Sequence, residues 1–164
     1  TLLNLGSTLL SLQSYEKLLT NQEKLLKIDK KDPNIWSVKG LALSFLKRYD
    51  EAIISSNKAI ELDKKEPLFL ANKGIILARS GRYEEGLNLC DQALELKENE
   101  CSYYGKACCY ALQNQDNLAL DALQKAIEYA PDRCRREAKY NPDFDKLRES
   151  DRFQELIQIE KKEK

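Results

Sequence analysis

The sequence predicts an all-α fold, a solenoid of antiparallel helix pairs stacked side by side. Two observations carry the prediction. One is internal repetition. Gly6, Gly40 and Gly74 stand 34 residues apart, and Ala107 follows 33 later. The columns Tyr15/Tyr49/Tyr83, Leu18/Ala52/Gly86/Ala119, Leu25/Ala59/Ala93/Ala126 and Ile28/Leu62/Leu96/Tyr129 keep the same register. A unit of this length cannot bury its apolar face alone, so successive units must stack. The other observation is composition. Apolar residues make up 42% and charged residues 33% of 164, with only 6 Gly and 4 Pro. That fills a core and a solvated surface, but has too few turn formers for an all-β chain.

The elements follow in order. The first repeat, residues 1–32, is incomplete at its start and carries Leu18 and Leu25 where later repeats hold small residues. In the second, 33–66, Trp36, Gly40 and Leu43 lie at i, i+4 and i+7 on one helical face, and Ala52, Ser56 and Ala59 repeat that spacing. A turn at Lys47-Arg48-Tyr49 divides the two helices. The small Gly40 and Ala52 allow close approach, and Trp36 and Tyr49 are expected to fill the flanking space inside the repeat. The third repeat, 67–99, turns at Ser80-Gly81-Arg82, and the acid pairs Asp50-Glu51 and Glu84-Glu85 suit the first turns of second helices. In the fourth, 100–133, one residue is missing, and the deletion falls in the loop expected between Leu96 and Ala107. Four helix pairs are therefore expected over 1–133. Residues 134–164 are read as a capping segment with a charged end. There Asn141 caps a turn with Pro142 at its first position, Phe144 and Leu147 lie at i, i+3, and Ser150 caps a last helix with Phe153, Leu156 and Ile157 inward. A solenoid needs such a piece to cover its last apolar face.

Trp36, Gly40, Leu43, Tyr49, Ala52 and Ala59 resemble the signature of the tetratricopeptide repeat, as do Gly74, Leu77, Tyr83, Ala93, Tyr103, Ala107, Tyr110, Ala119, Leu123, Ala126 and Pro131. Lys39 before the glycine and Gly86 at an alanine position depart from it. The resemblance implies a right-handed superhelix and a protein that binds other proteins. The Pro-Asp-Phe-Asp and Asp-Arg-Phe segments are similar to tails that follow the last repeat in some bacterial members of the family.

Composition bounds the chemistry. The chain has no His, which removes the commonest general base and zinc ligand and every Ser-His or Cys-His nucleophile pair. No GxxxxGK[ST] or GxGxxG segment occurs. The expectation is a non-enzyme without cofactor or metal. Acids and bases balance at 27 each, so no global field attracts nucleic acid. No apolar run of about 18 residues exists, so membrane insertion is not expected. The chain opens on Thr1, which reads as a fragment or processed form with a further upstream repeat cut away. Five cysteines, an odd number with no compact framework, favour a reducing compartment, the cytoplasm. Cys101 and Cys108 share a face of one helix beside Cys109 and offer a redox or metal sensor as the least favoured reading. A single disulfide cannot span i, i+7, about 10.5 Å of helix. Cys90, in the packing column of Ser56 and Leu123, is core.

The resemblance implies that first helices line a concave groove. Carried over position by position, the peptide-binding residues are Val38, Leu41 and Phe45, then Leu68, Asn72, Ile75 and Arg79, then Tyr104 and Cys108. Asn4, Ser7 and Leu10 would extend the set into the first repeat. The strip is mainly apolar, with Asn72 and Arg79 as polar contacts, so binding is expected to be insensitive to salt. The alternative for any one residue is packing against the next repeat. Family members that grip a chaperone's C-terminal carboxylate use a lysine, asparagine and arginine cluster. Here only Asn72 fits such a cluster, among Ser37, Leu41, Asn72, Cys101 and Gly105, which disfavours that partner. A second function class remains open: self-association as a homo-oligomer, or a structural part of a longer repeat protein.

Overall fold

The structure, a computed structural model, describes residues 2–158, with side chains from residue 12 onward. Asn4, Ser7, Leu10 and the charged end at 160–164 therefore lie outside the described side chains. The described residues are all-helical: α1 (Leu2–Ile28), α2 (Pro33–Phe45), α3 (Tyr49–Leu62), α4 (Pro67–Arg79), α5 (Tyr83–Leu96), α6 (Glu100–Leu112), α7 (Asp116–Tyr129), α8 (Pro131–Tyr140), a 3-10 turn (Pro142–Leu147) and α9 (Asp151–Ile157). The pairs α2/α3, α4/α5 and α6/α7 pack within themselves, and α2, α4 and α6 lie side by side. The connection 63–66 has four residues and 97–99 has three, which is where the shorter period loses its residue.

Local sequence sets these boundaries. Asp32 and Glu66 cap α2 and α4, accepting the amides of Asn34 and Leu68, each followed by proline at a position that needs no donor. Asn99 caps α6 through the Ser102 amide. Every turn inside a pair is built alike. One residue takes positive φ, Lys47 at 60°, Gly81 at 89° and Asn114 at 60°. The next amide reaches back to a helical carbonyl, Arg48 to Leu43, Arg82 to Leu77 and Gln115 to Tyr110, each at 2.9 Å. This is the left-handed helix stop that glycine or asparagine favours.

The seams between helices in a pair are tight because their columns are small. A Cβ on Gly74 would lie 2.7 Å from the Gly86 carbonyl oxygen and 2.7 Å from the Cys90 sulfur, and one on Gly86 would lie 2.5 Å from the Gly74 oxygen. The Gly40 seam is looser, at 3.1 Å from the Ala52 oxygen. Fully buried Ala52, Ala59, Cys90, Ala93, Ala107, Ala119, Leu123 and Ala126 complete the seams.

Three expectations are corrected. Residues 2–28 form one unbroken helix rather than a pair. Gln13 stands where Lys47 turns, flanked by residues that continue a helix readily. Leu18 and Leu25 are too large for a close seam, and both remain 37% exposed while Leu19, Gln22 and Leu26 are buried. Trp36 is not a filler inside its repeat. It is half-buried, donates Nε1–H to the Lys30 carbonyl at 2.9 Å, and has the Lys39 ammonium 5.6 Å from its ring centre. The apolar cluster of this repeat is Leu19, Ala42, Leu43, Ala52 and Ile76, with Leu41, Leu46 and Ile53 packed against it, and does not include Trp36. Finally, the C-terminal segment does more than cover an end face. Phe144, Leu147 and Phe153 are buried in one cluster with Leu123, Ile127, Cys134 and Ala138, and that cluster reaches Ile75 and Cys108 in the first helices. Leu156 and Ile157 pack against it half-buried. Asn141 and Ser150 do cap, accepting the amides of Asp143 and Phe153.

Candidate functional site

A groove of about 460 Å³ opens on the face made by the first helices. Leu41 and Phe45 of α2, Leu68, Asn72, Ile75 and Arg79 of α4, and Tyr104 of α6 line it, with Tyr15 of α1 beside them. These seven of the nine sequence-derived residues come together. Val38 is half-buried and does not line the groove. Cys108 is fully buried, because Asn141 and the 3-10 turn cover the end of α6, with Asn141 Nδ2 3.5 Å from the Cys108 sulfur and 3.1 Å from the Tyr104 hydroxyl.

The polar residues behave differently from the strip that sequence suggested. Arg79 is already occupied. Its guanidinium donates to both carboxylate oxygens of Asp143, Nε–Oδ1 at 3.0 Å and Nη2–Oδ2 at 2.7 Å. Nη1 donates to Ser44 Oγ at 2.7 Å. The plane sits 3.6 Å from the Phe45 ring centre, and Phe45 stacks on Tyr15 at 4.1 Å. The side chains of Arg79 and Asp143 are 7% and 5% exposed. Burial opposes the charge on Arg79, while Asp143 favours it and holds the group above its usual range. A charge this deep needs such a partner. Asn72 lines the groove but commits an amide hydrogen to Ser37 at 2.9 Å, so repeat-to-repeat packing claims part of this face.

Helix α8, with the first residue of α6, adds a charged wall that lies outside the sequence-derived set. Glu100, Arg133 and Glu137 line the mouth with Tyr140, which is 72% exposed. Arg133 bridges Glu100 at 3.1 Å and Glu137 at 3.0 Å. The mouth therefore adds three charged side chains to a strip expected to be mainly apolar with few charges. For the Arg79–Asp143 pair one signal was present in the sequence: Arg79 is a lone cation in the column Phe45/Arg79/Leu112, and a charge that becomes buried needs a partner.

The thiols are poorly suited to chemistry. Cys90, Cys108, Cys109 and Cys134 are buried, Cys101 half-buried, and none is in a disulfide. Burial raises the thiols of Cys101 and Cys108, and pushes Cys134 up to about 12. Cys109 is raised by its hydrogen bond with Cys90 and by burial, the two sulfurs lying 3.9 Å apart. The four buried thiols are shielded from reagents, and half-buried Cys101 is the accessible one. Among the described residues no three His, Cys, Asp or Glu side chains converge as metal ligands. No helix among them is long and apolar enough to cross a membrane.

Stacked helix pairs with a groove on their first-helix face define a helical-repeat scaffold. The chain carries tetratricopeptide repeats: residues 33–66 and 102–133 match the family model. Among solved structures it is similar to PilW, a widely conserved type IV pilus biogenesis factor, at 24% identity over 90% of this chain and 72% of that one, with a TM-score of 0.60. It is also similar to MamA (residues 41 to the end) from Desulfovibrio magneticus RS-1, at 20% identity over 94% of this chain and 90% of that one, TM-score 0.51. At these identities the likeness is one of fold. No curated protein matches the chain.

Proposed function

We propose that this chain is a non-catalytic scaffold that binds an apolar segment of a partner protein in the groove of its first helices. The observation that carries the reading is the groove itself. Leu41 and Leu68 come from successive repeats, remain only half-buried, and line the groove. Apolar surface held open in a preformed concavity is the usual form of a recognition site. The binding energy would concentrate in a few buried anchors. Unpaired thiols suit a reducing compartment, and we place the protein in the cytoplasm on that ground.

Leu41→Glu and Leu68→Glu, which alter half-buried groove positions, should weaken partner capture at least about tenfold, roughly 1.4 kcal/mol. Helical content and melting of each variant are checked first. Folded variants that hold the native partner with wild-type affinity would remove the groove as the site. Ile75→Glu is a poor probe, because Ile75 is 5% exposed and the change would strike the core.

One observation favours the second reading, self-association. Leu18, Leu25 and Ile28 form a stripe on α1, with Leu18 and Leu25 each 37% exposed and Ile28 85%. Sedimentation at two concentrations separates the readings, since only self-association makes the mass rise with concentration.

A further inference from the structure

The groove is blind at one end, and we infer that its occupant is a short segment that ends or turns inside it and carries a basic group at the mouth. This rests on the reading of the groove as a partner site. The first helices present inward residues along their whole length, and at one side of the face Leu41 and Leu68 line the open groove. At the other side Asp143 lies on Arg79, Asn141 on Tyr104 and Cys108, and the Phe144 ring stands edge-on to Tyr104 at 5.7 Å. This stop is part of the core, since Phe144 is fully buried and Arg79 and Asp143 are nearly so. A helix laid along the face would need anchors at i, i+3 or i+4, and i+7, and its far end would meet Pro142 and Asp143. The groove's volume is about 460 Å³, within the range of small-ligand pockets.

The mouth adds a charge preference. Glu100 and Glu137 share the single cation Arg133, leaving one negative charge in excess among the groups lining the opening outside the Arg79–Asp143 pair. Each carboxylate has acceptor capacity beyond the one guanidinium. A lysine or arginine of the partner extends this network, whereas an acidic residue meets two carboxylates.

The protein carries its own reporter of occupancy. Cys101 lines the groove and is half-buried, while the other four thiols are buried. Alkylation of Cys101 therefore reads whether the groove is filled. The probe is a phage-displayed library of random peptides of about 16 residues, selected on the intact chain, and binders are then synthesised and truncated from both ends. The expected result is protection of Cys101 and a minimal segment of no more than about six residues. Extension should be tolerated on one side only. The segment should contain a basic residue, and Glu137→Gln, a change at an exposed position, should weaken it up to about fivefold. Minimal segments that fill most of the peptide, tolerate extension at both ends, or ignore Glu137→Gln while protecting Cys101 would overturn this inference and leave the groove a partner site. A selection yielding no peptide that protects Cys101, or binders indifferent to Leu68→Glu, would overturn both.

Discussion

Replacing Gly74 with alanine adds one methyl group to a seam that has no room for it. The new Cβ would stand 2.7 Å from the Gly86 carbonyl oxygen and from the Cys90 sulfur, where ordinary contact begins near 3.4 Å. The sulfur can swing aside, but the carbonyl belongs to the backbone of α5, so the pair must open by about half an ångström or more along its length. Overpacking of this kind costs roughly 1–3 kcal/mol, and the gain in helix propensity from Gly to Ala returns up to about 1 kcal/mol. The net loss should be about 1–2 kcal/mol, which lowers the melting temperature by roughly 2–8 °C for a domain of this size. Gly40→Ala is the control. Its Cβ would meet the Ala52 oxygen at 3.1 Å and the tip of the Ile76 side chain at 3.2 Å. Small shifts accommodate these contacts, so strain and propensity should nearly cancel. Thermal unfolding followed by circular dichroism decides between the two. If Gly74→Ala melts at or above wild type, or Gly40→Ala falls further, the account of the seam is wrong.

Three further outcomes are expected. Asp143→Ala should destabilise by about 3–5 kcal/mol, because it strands a buried guanidinium, while Arg79→Met combined with Asp143→Leu should recover most of the loss; urea unfolding of the three variants tests this, and equal instability of the single and double variants would contradict it. Lys47→Gly should stabilise by roughly 0.5–1 kcal/mol, since a side chain at positive φ costs about 1–2 kcal/mol and glycine's added chain entropy returns only part of that; an unchanged urea midpoint would count against strain at that turn. Brief treatment of the native protein with a maleimide, read by peptide mass mapping, should modify Cys101 and spare Cys90, Cys108, Cys109 and Cys134, and no stoichiometric zinc should co-purify; one tightly bound metal per chain would restore the sensor reading.

The sequence alone determined the repeating architecture. A period of 34 residues, small residues at fixed columns and prolines after capping acids are local instructions, and each acts within one helix pair or between neighbours. The first-helix face was legible for the same reason: Leu41, Leu68, Asn72 and Tyr104 lie on one face of the first helices, and stacking brings that face onto one surface. Three features lay outside that logic. The first repeat became a single helix because a turn needs a residue that stops the helix, and the residues around Gln13 continue it. Cys108 left the groove and Arg79 lost its freedom because residues 141–144 return to α4 and α6, so that Arg79 meets Asp143 across 64 positions of chain. Helix α8 placed Arg133 and Glu137 at the mouth by packing on α7 as the next unit in the stack. Contacts of this range depend on where the whole chain ends up in space. Periodicity records which face a residue occupies, and only the tertiary structure decides what arrives to cover it.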